Sequence, residues 1–125
     1  MVTPRASDGR ESMATPAPRL SVASMVESVL GCKWSVRLLG LLAEGSKRPS
    51  VLLRLCPGLS AKVMNERLQK MIRFGIVQRV VHGQKPPVEV EYHLTPLGRR
   101  FVAILHEVQR LQNDLQSGAL EADSH

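Results

Sequence analysis

The stretch GLSAKVMNERLQKMIRFGIVQRVV, from Gly58 to Val81, changes its hydrophobic period at a single residue. Up to Phe74 the apolar residues recur at helical spacing, with Met64, Leu68 and Met71 at i, i+4 and i+7. After Gly75 they come at almost every residue, as in a strand. The chain must therefore run a helix straight into a sheet. Ser60 is placed to cap that helix, because its hydroxyl can accept an orphan backbone N–H. Gly75 suits the left-handed position that ends it, with Ile76 as the apolar residue that folds back. The face opposite the apolar stripe carries Lys62, Asn65, Glu66, Gln69, Lys70 and Arg73.

The remaining elements follow from the same kind of punctuation. Val22, Met25, Val26, Val29 and Leu30 mark one face of a first helix closed by Gly31. Trp34, Leu38, Leu41 and Leu42 form a second, ending near Gly45. Ser50 is expected to cap a short third helix carrying Leu52, Leu53 and Leu55, which CPG stops. After the long helix, Ile76–His82 pairs with a strand in which Val88, Val90, Tyr92 and Leu94 alternate with Glu89, Glu91 and His93. GQKPP makes the tip. Thr95 and Pro96 then open a last helix. Its apolar residues Leu97, Phe101, Ile104, Val108, Leu111 and Leu115 keep a heptad spacing. The first turns of that seam are expected on the domain's own core, and the part beyond Val108 in a dimer contact.

The flanks differ in composition. Residues 1–19, rich in Pro, Ser, Thr and Ala, read as a disordered tail, and residues 117–125 as a second flexible one. Residues 20–116 are left as one domain. Aromatic residues make up only 3% of the chain, so its core must be built from Leu, Val, Ile and Met. Net charge is +6, and its distribution is uneven. Between Lys33 and Arg100 stand 13 Lys or Arg against four acids, leaving four basic and seven acidic residues to the flanks. A folded centre this basic points to a polyanion as partner.

Other chemistry finds little support. Cys32 and Cys56 form no CxxC pair, and the four histidines show no metal-ligand spacing, so neither a metal nor a cofactor is expected. No Gly-rich phosphate loop occurs, and an enzyme is not expected. No segment approaches the roughly 20 apolar residues of a membrane span, and no signal peptide opens the chain, so a cytoplasmic location is expected.

The order of helices and strands is mainly α with a small β-hairpin wing. Short helix, sharp turn CPGLS, longer capped helix and hairpin together make a winged helix-turn-helix. The capped helix would be the one inserted into a major groove. Ala61, Lys62, Asn65, Glu66 and Gln69 on its first turns are the candidate base readers. Asn and Gln can bind adenine bidentately, Lys favours guanine, and Glu can accept from cytosine. Candidate phosphate contacts are Ser60, Arg67, Lys70 and Arg73 on this helix, Lys33, Arg37, Lys47 and Arg48 around the second, and Arg79 and Lys85 on the wing. Lys47 and Arg48 fit a solvated loop equally well. Glu89 and Glu91 are expected to pair with Arg79 across the hairpin or to project away from the duplex.

Residues 20–112 also resemble the HxlR-type winged-helix transcriptional regulators, relatives of the MarR family. GCKW, from Gly31 to Trp34, is similar to a Gly-Gly-Lys-Trp signature opening the second helix. PGLSAKVMNERLQKM looks like the family's turn and recognition helix. Val90, Glu91, Tyr92, Leu94, Thr95, Leu97 and Gly98 match its wing strand and last-helix start. The resemblance implies a bacterial, nucleoid-associated homodimer joined through its first and last helices. Val22, Met25, Val29, Ile104, Val108, Leu111 and Leu115 are then the candidate interface. It also implies double-stranded DNA as partner and a regulatory role, most often repression; any small-molecule inducer stays unknown. A winged helix that meets an acidic protein, without reading DNA, is the rival.

Three departures from that pattern matter. Some family members sense electrophiles or oxidants through a cysteine at the start of the first helix, where this chain has Ser21. Cys32 stands where a second glycine is usual, either as a small packing residue or as a thiol made acidic beside Lys33. Pro49 replaces an aromatic that often precedes the third helix, which puts the sheet's minor first strand in doubt.

Overall fold

The computed structural model describes residues 21–118 of the 125. The tail expected over 1–19, and most of the one expected over 117–125, lie outside the described residues. The described chain holds five helices and a two-stranded hairpin: α1 (Val22–Leu30), α2 (Lys33–Ala43), α3 (Pro49–Leu55), α4 (Ala61–Arg73), β1 (Val77–His82), β2 (Glu89–Leu94) and α5 (Pro96–Ser117). Helix α5 runs one residue past the expected boundary, and Gly118, at φ 79, caps it in the left-handed region.

Helix α2 is the centre of the molecule. Leu38, Leu39, Leu41 and Leu42 are all buried, an arc wide enough to touch α1, α4, α5 and β2 at once. Around it pack Met25 and Val29 of α1, Leu52 of α3, Met64, Leu68 and Met71 of α4, and Phe101, Val102 and Leu105 of α5. Tyr92 and Leu94 close the sheet side. The core is mainly Leu, Val, Ile and Met, as the composition requires, with Phe101 and Tyr92 as its aromatic members.

Capping defines the helix ends. The Ser21 hydroxyl accepts the Ser24 N–H at 3.0 Å, which makes Ser21 the N-cap of α1. Ser60 accepts the Val63 N–H at 3.1 Å. Helix α4 ends in a Schellman motif: the Gly75 N–H bonds the Ile72 carbonyl at 2.9 Å, and the Ile76 N–H bonds the Met71 carbonyl at 3.1 Å. Gly75 takes φ 81, and Ile76 turns fully into the core.

The third helix departs from expectation. Its N-cap is Arg48, with no side-chain cap, and Pro49 occupies the first turn. Ser50 lies inside the helix and is exposed. Proline with its fixed φ sets the start, overriding the local preference of serine. The same proline ends the extended segment before it. What would be a first strand is a single bridge, in which Lys47 and Tyr92 exchange backbone hydrogen bonds of 3.0 and 2.8 Å.

The hairpin pairs Val77 with Leu94, Arg79 with Tyr92 and Val81 with Val90 in antiparallel register. Val77, Tyr92 and Leu94 are buried, whereas Val81 and Val88 are exposed where the wing extends past the body. The acids of β2 do not pair with Arg79. Glu89 binds Arg48 at 2.8 Å, and Glu91 meets the His82 ring at 3.2 Å.

Helix α5 also corrects the sequence pattern. Its buried face is Gly98, Phe101, Val102 and Leu105. Of the heptad seam only Phe101 is in the core; Leu97 is 47% and Ile104 44% exposed. The seat of this helix is close. The Thr95 hydroxyl accepts the Gly98 N–H at 2.9 Å and donates to the Gly75 carbonyl at 2.6 Å. A Cβ on Gly98 would fall 2.0 Å from the Ile76 carbonyl oxygen, so only glycine permits the approach. Helix α5 is thereby fixed to the end of α4.

Candidate nucleic-acid interface

The polar side of α4 is turned to solvent. With Met64, Leu68 and Met71 buried, Ala61, Lys62, Asn65, Glu66, Gln69 and Arg73 are exposed along α4, and Lys70 is half-buried at their edge. The helix rests on α2 and β1, which fix its inner side and leave the outer side open. In the turn before it, a Cβ on Gly58 would come 3.8 Å from the Trp34 ring, an ordinary contact distance. Gly58 has φ 95, a conformation that side chains other than glycine's adopt at a cost.

The candidate phosphate contacts divide into two groups. Lys70, Arg73, Arg79 and Lys85, like the candidate base reader Lys62, form no ion pair with another described residue. Lys85 is at the wing tip and Arg79 is exposed on β1. Ser60 spends its hydroxyl on the helix cap. The other cations have work within the fold. Arg37 donates to the Leu55 carbonyl at 3.1 Å, holding the end of α3 against α2. The Lys47 side chain is largely covered, with its amine 3.3 Å from the Gly45 carbonyl and 3.8 Å from Glu44. Arg48 is tied to Glu89, although both partners are about half-exposed, and such a pair is worth less than about 1 kcal/mol and could yield to a phosphate. Lys33 stacks its amine 5.2 Å above the Trp34 ring.

Arg67 is turned inward. Its Nε is buried without a hydrogen-bond partner among the described residues, and its charge acts on the Cys32 thiol. Cys32, half-buried at the start of α2, has a pKa below the ordinary thiol value. Burial alone raises it; the Ser35 amide and hydroxyl, the Trp34 amide and the Arg67 guanidinium outweigh that by favouring the thiolate. Cys56 is fully buried. Among the described residues no group of three His, Cys, Asp or Glu is arranged to hold a metal, and no helix is long and apolar enough to cross a membrane.

Three exposed cations stand outside the candidates read from the sequence: Arg99 and Arg100 in the first turns of α5, and Arg54, next to last in α3, where seven residues are too few for amphipathic periodicity to single it out.

A second surface is apolar. Leu97, Ile104, Val108, Leu111 and Leu115 form an exposed stripe along α5, with Leu111 at 55%, and Val22 of α1 is also exposed. Met25 and Val29, expected in the same interface, are instead directed into the chain's own core.

This architecture has relatives. The chain is 38% identical over 86 residues to the uncharacterized HTH-type transcriptional regulator YtcD of Bacillus subtilis, covering 69% of this chain and 67% of that protein. It is 37% identical over 89 residues to the uncharacterized HTH-type transcriptional regulator sll1512 of Synechocystis, covering 71% of this chain and 65% of that one. The match thus spans about two thirds of these relatives. Among solved structures, diamide-treated YodB from B. subtilis superimposes with a TM-score of 0.67 at 32% identity, over 74% of this chain and 89% of that one. A transcriptional regulator of the MarR family from Enterococcus faecalis V583 does so with a TM-score of 0.68 at 25% identity, over 93% and 96%. The profile of the HxlR-like helix-turn-helix matches residues 29–118, so the helix, turn, helix and wing described above are a family inheritance: the chain belongs to the HxlR-like helix-turn-helix family.

Proposed function

We propose that the protein is a sequence-specific, DNA-binding transcriptional regulator that acts in the bacterial cytoplasm as a homodimer on a near-palindromic operator. The observation that carries this reading is the outer face of α4. Lys62, Asn65, Glu66 and Gln69 stand exposed on a helix anchored by three fully covered apolar side chains and capped by Ser60. Asn65 and Gln69 supply amide groups for adenine, and Lys62 a donor for guanine. The unpaired cations on α4 and the wing supply sequence-independent attraction. The apolar stripe on α5, with Val22, supplies the surface through which two copies would join, since an exposed stripe of this kind marks an interaction site. Two joined copies place two α4 helices about one helical turn of DNA apart, or a multiple of it. Occupancy of a promoter would exclude polymerase, which makes repression the expected outcome.

The test is selection of bound duplexes from random DNA, followed by titration of the selected site at several salt concentrations. A dimer meeting about six to ten phosphates should lose roughly three to five orders of magnitude in affinity between about 50 and 200 mM salt. Failure to enrich any duplex, with retention of an acidic protein partner, would favour the interaction-module reading instead.

A further inference from the structure

Arg99 and Arg100 stand exposed in the first turns of α5 and form no ion pair with another described residue. Helix α5 opens with no acid in its first turn, and cations near the positive end of a helix dipole are unfavourable. The acids nearest to them in sequence are Glu91 and Glu107, which are engaged by His82 and Arg110. No charged group among the described residues therefore accounts for two adjacent arginines at this place.

The seat of α5 brings this turn to the end of α4. The Thr95 hydroxyl donates to the Gly75 carbonyl at 2.6 Å, and Gly98 lies directly against the Ile76 backbone. Arg73, two residues before Gly75, is the last residue of α4; it too is exposed and without an ion pair to a described residue. It follows Gln69 by four residues and Glu66 by seven, so it carries their outer face on by one more turn. Three arginines from two helices thus stand beyond the last candidate base reader, and the contacts of Thr95 and Gly98 hold the two helices together.

We infer that Arg73, Arg99 and Arg100 form a shelf for the DNA backbone, taking phosphates that flank the segment read by α4. This rests on the proposed function, in which α4 occupies a major groove. Continuity with the outer face of α4 is what favours DNA over an acidic protein as the occupant. All three cations are arginines, whose planar forks meet phosphate oxygens two at a time. Such contacts carry no sequence information; they fix the register of the protein on the duplex and add affinity on any sequence. The shelf therefore lengthens the stretch of DNA the protein grips beyond the bases it reads.

The test compares the full chain with its Arg99→Gln/Arg100→Gln double variant, titrating a selected duplex and a random one over a series of salt concentrations. Each phosphate contact contributes about 0.9 to the slope of log affinity against log salt, so the double variant should be shallower by about 2 per protomer. Its affinity should fall by the same factor on both duplexes. It should melt no lower than the wild type, because it removes cations from the positive end of α5. Arg99→Lys/Arg100→Lys, which keeps the charges, should keep the slope. On a selected duplex trimmed to the base pairs that selection conserves, wild type and double variant should bind within a factor of about two of each other. An unchanged slope, or a loss confined to the selected sequence, would overturn the shelf. An equal fall in slope for Arg110→Gln, farther along α5, would make it an effect of net charge and overturn it too. A full loss on the trimmed duplex would overturn its placement on flanking DNA. A wild type that binds no duplex at all would overturn the proposed function and the shelf with it, whereas a wild type that binds while the double variant keeps its slope would overturn the shelf alone.

Discussion

Gly98→Ala should destabilise the protein by about 2–4 kcal/mol, although alanine is the better helix former. The added Cβ would lie 2.0 Å from the Ile76 oxygen, 3.0 Å from its carbonyl carbon and 3.3 Å from its Cα. An acceptable C···O contact is about 3.3 Å. The first turn of α5 would therefore have to retreat by roughly 1.3 Å, because all three Ile76 atoms are backbone, which cannot rotate aside. Overpacking of this kind costs about 1–3 kcal/mol. The retreat also stretches the bond from Thr95 to the Gly75 carbonyl, now 2.6 Å, and the bond from the Thr95 N–H to the Ile76 carbonyl, now 3.2 Å. Each contributes about 1 kcal/mol. The helical preference of alanine returns about 1 kcal/mol. For a domain of this size the net loss lowers Tm by roughly 10–25 °C. Thermal and urea unfolding followed by circular dichroism would measure it, at one fixed protein concentration because self-association raises apparent stability. An alanine variant as stable as the wild type would show that α5 does not rest on the Ile76 backbone, and that the last helix is not fixed to the end of α4.

Two further predictions concern the α5 surface and the thiols. Leu111→Glu removes no core contact, since Leu111 is 55% exposed, but puts a charge into the proposed dimer seam; self-association should weaken by more than about 2 kcal/mol. Sedimentation that shows an undiminished dimer would take Leu111 out of the interface. Cys32, whose pKa is depressed, should be alkylated faster than free cysteine below about pH 8, with the advantage shrinking as pH rises and both thiols ionise. Cys56, buried in the core, should react only on unfolding. Peptide mapping after a short iodoacetamide pulse distinguishes the two, and equal labelling would contradict the assigned environments.

What could be read in the sequence, and what could not, follows from the range of the interactions. Helix α4 was legible throughout because Ser60, the Met64–Leu68–Met71 stripe and Gly75 act within a few residues of one another. The hairpin was legible for the same reason, to within one residue at its ends. The start of α3 was not, because Ser50 and Pro49 both signal a helix start and only proline's fixed φ decides between them. The heptad count on α5 merged two faces: Phe101 belongs to the core, while Leu97 and Ile104 belong to the surface, and a spacing of 3.5 cannot be told from 3.6 over so few turns. The fates of Arg37, Arg48 and Arg67 were invisible. Arg37 reaches a carbonyl 18 residues away and Arg48 a carboxylate 41 residues away, contacts that exist only once the chain has folded. A count of basic residues therefore overstated how many are available to DNA.

The most direct test of the account is the affinity of Asn65→Ala for a selected operator and for random duplex, measured side by side at one salt concentration. If the outer face of α4 reads bases, the operator affinity should fall by about 1–3 kcal/mol while the random-duplex affinity stays nearly unchanged. An equal loss on both duplexes would reduce Asn65 to a positioning residue, and no loss on either would contradict the assignment of this helix as the reader.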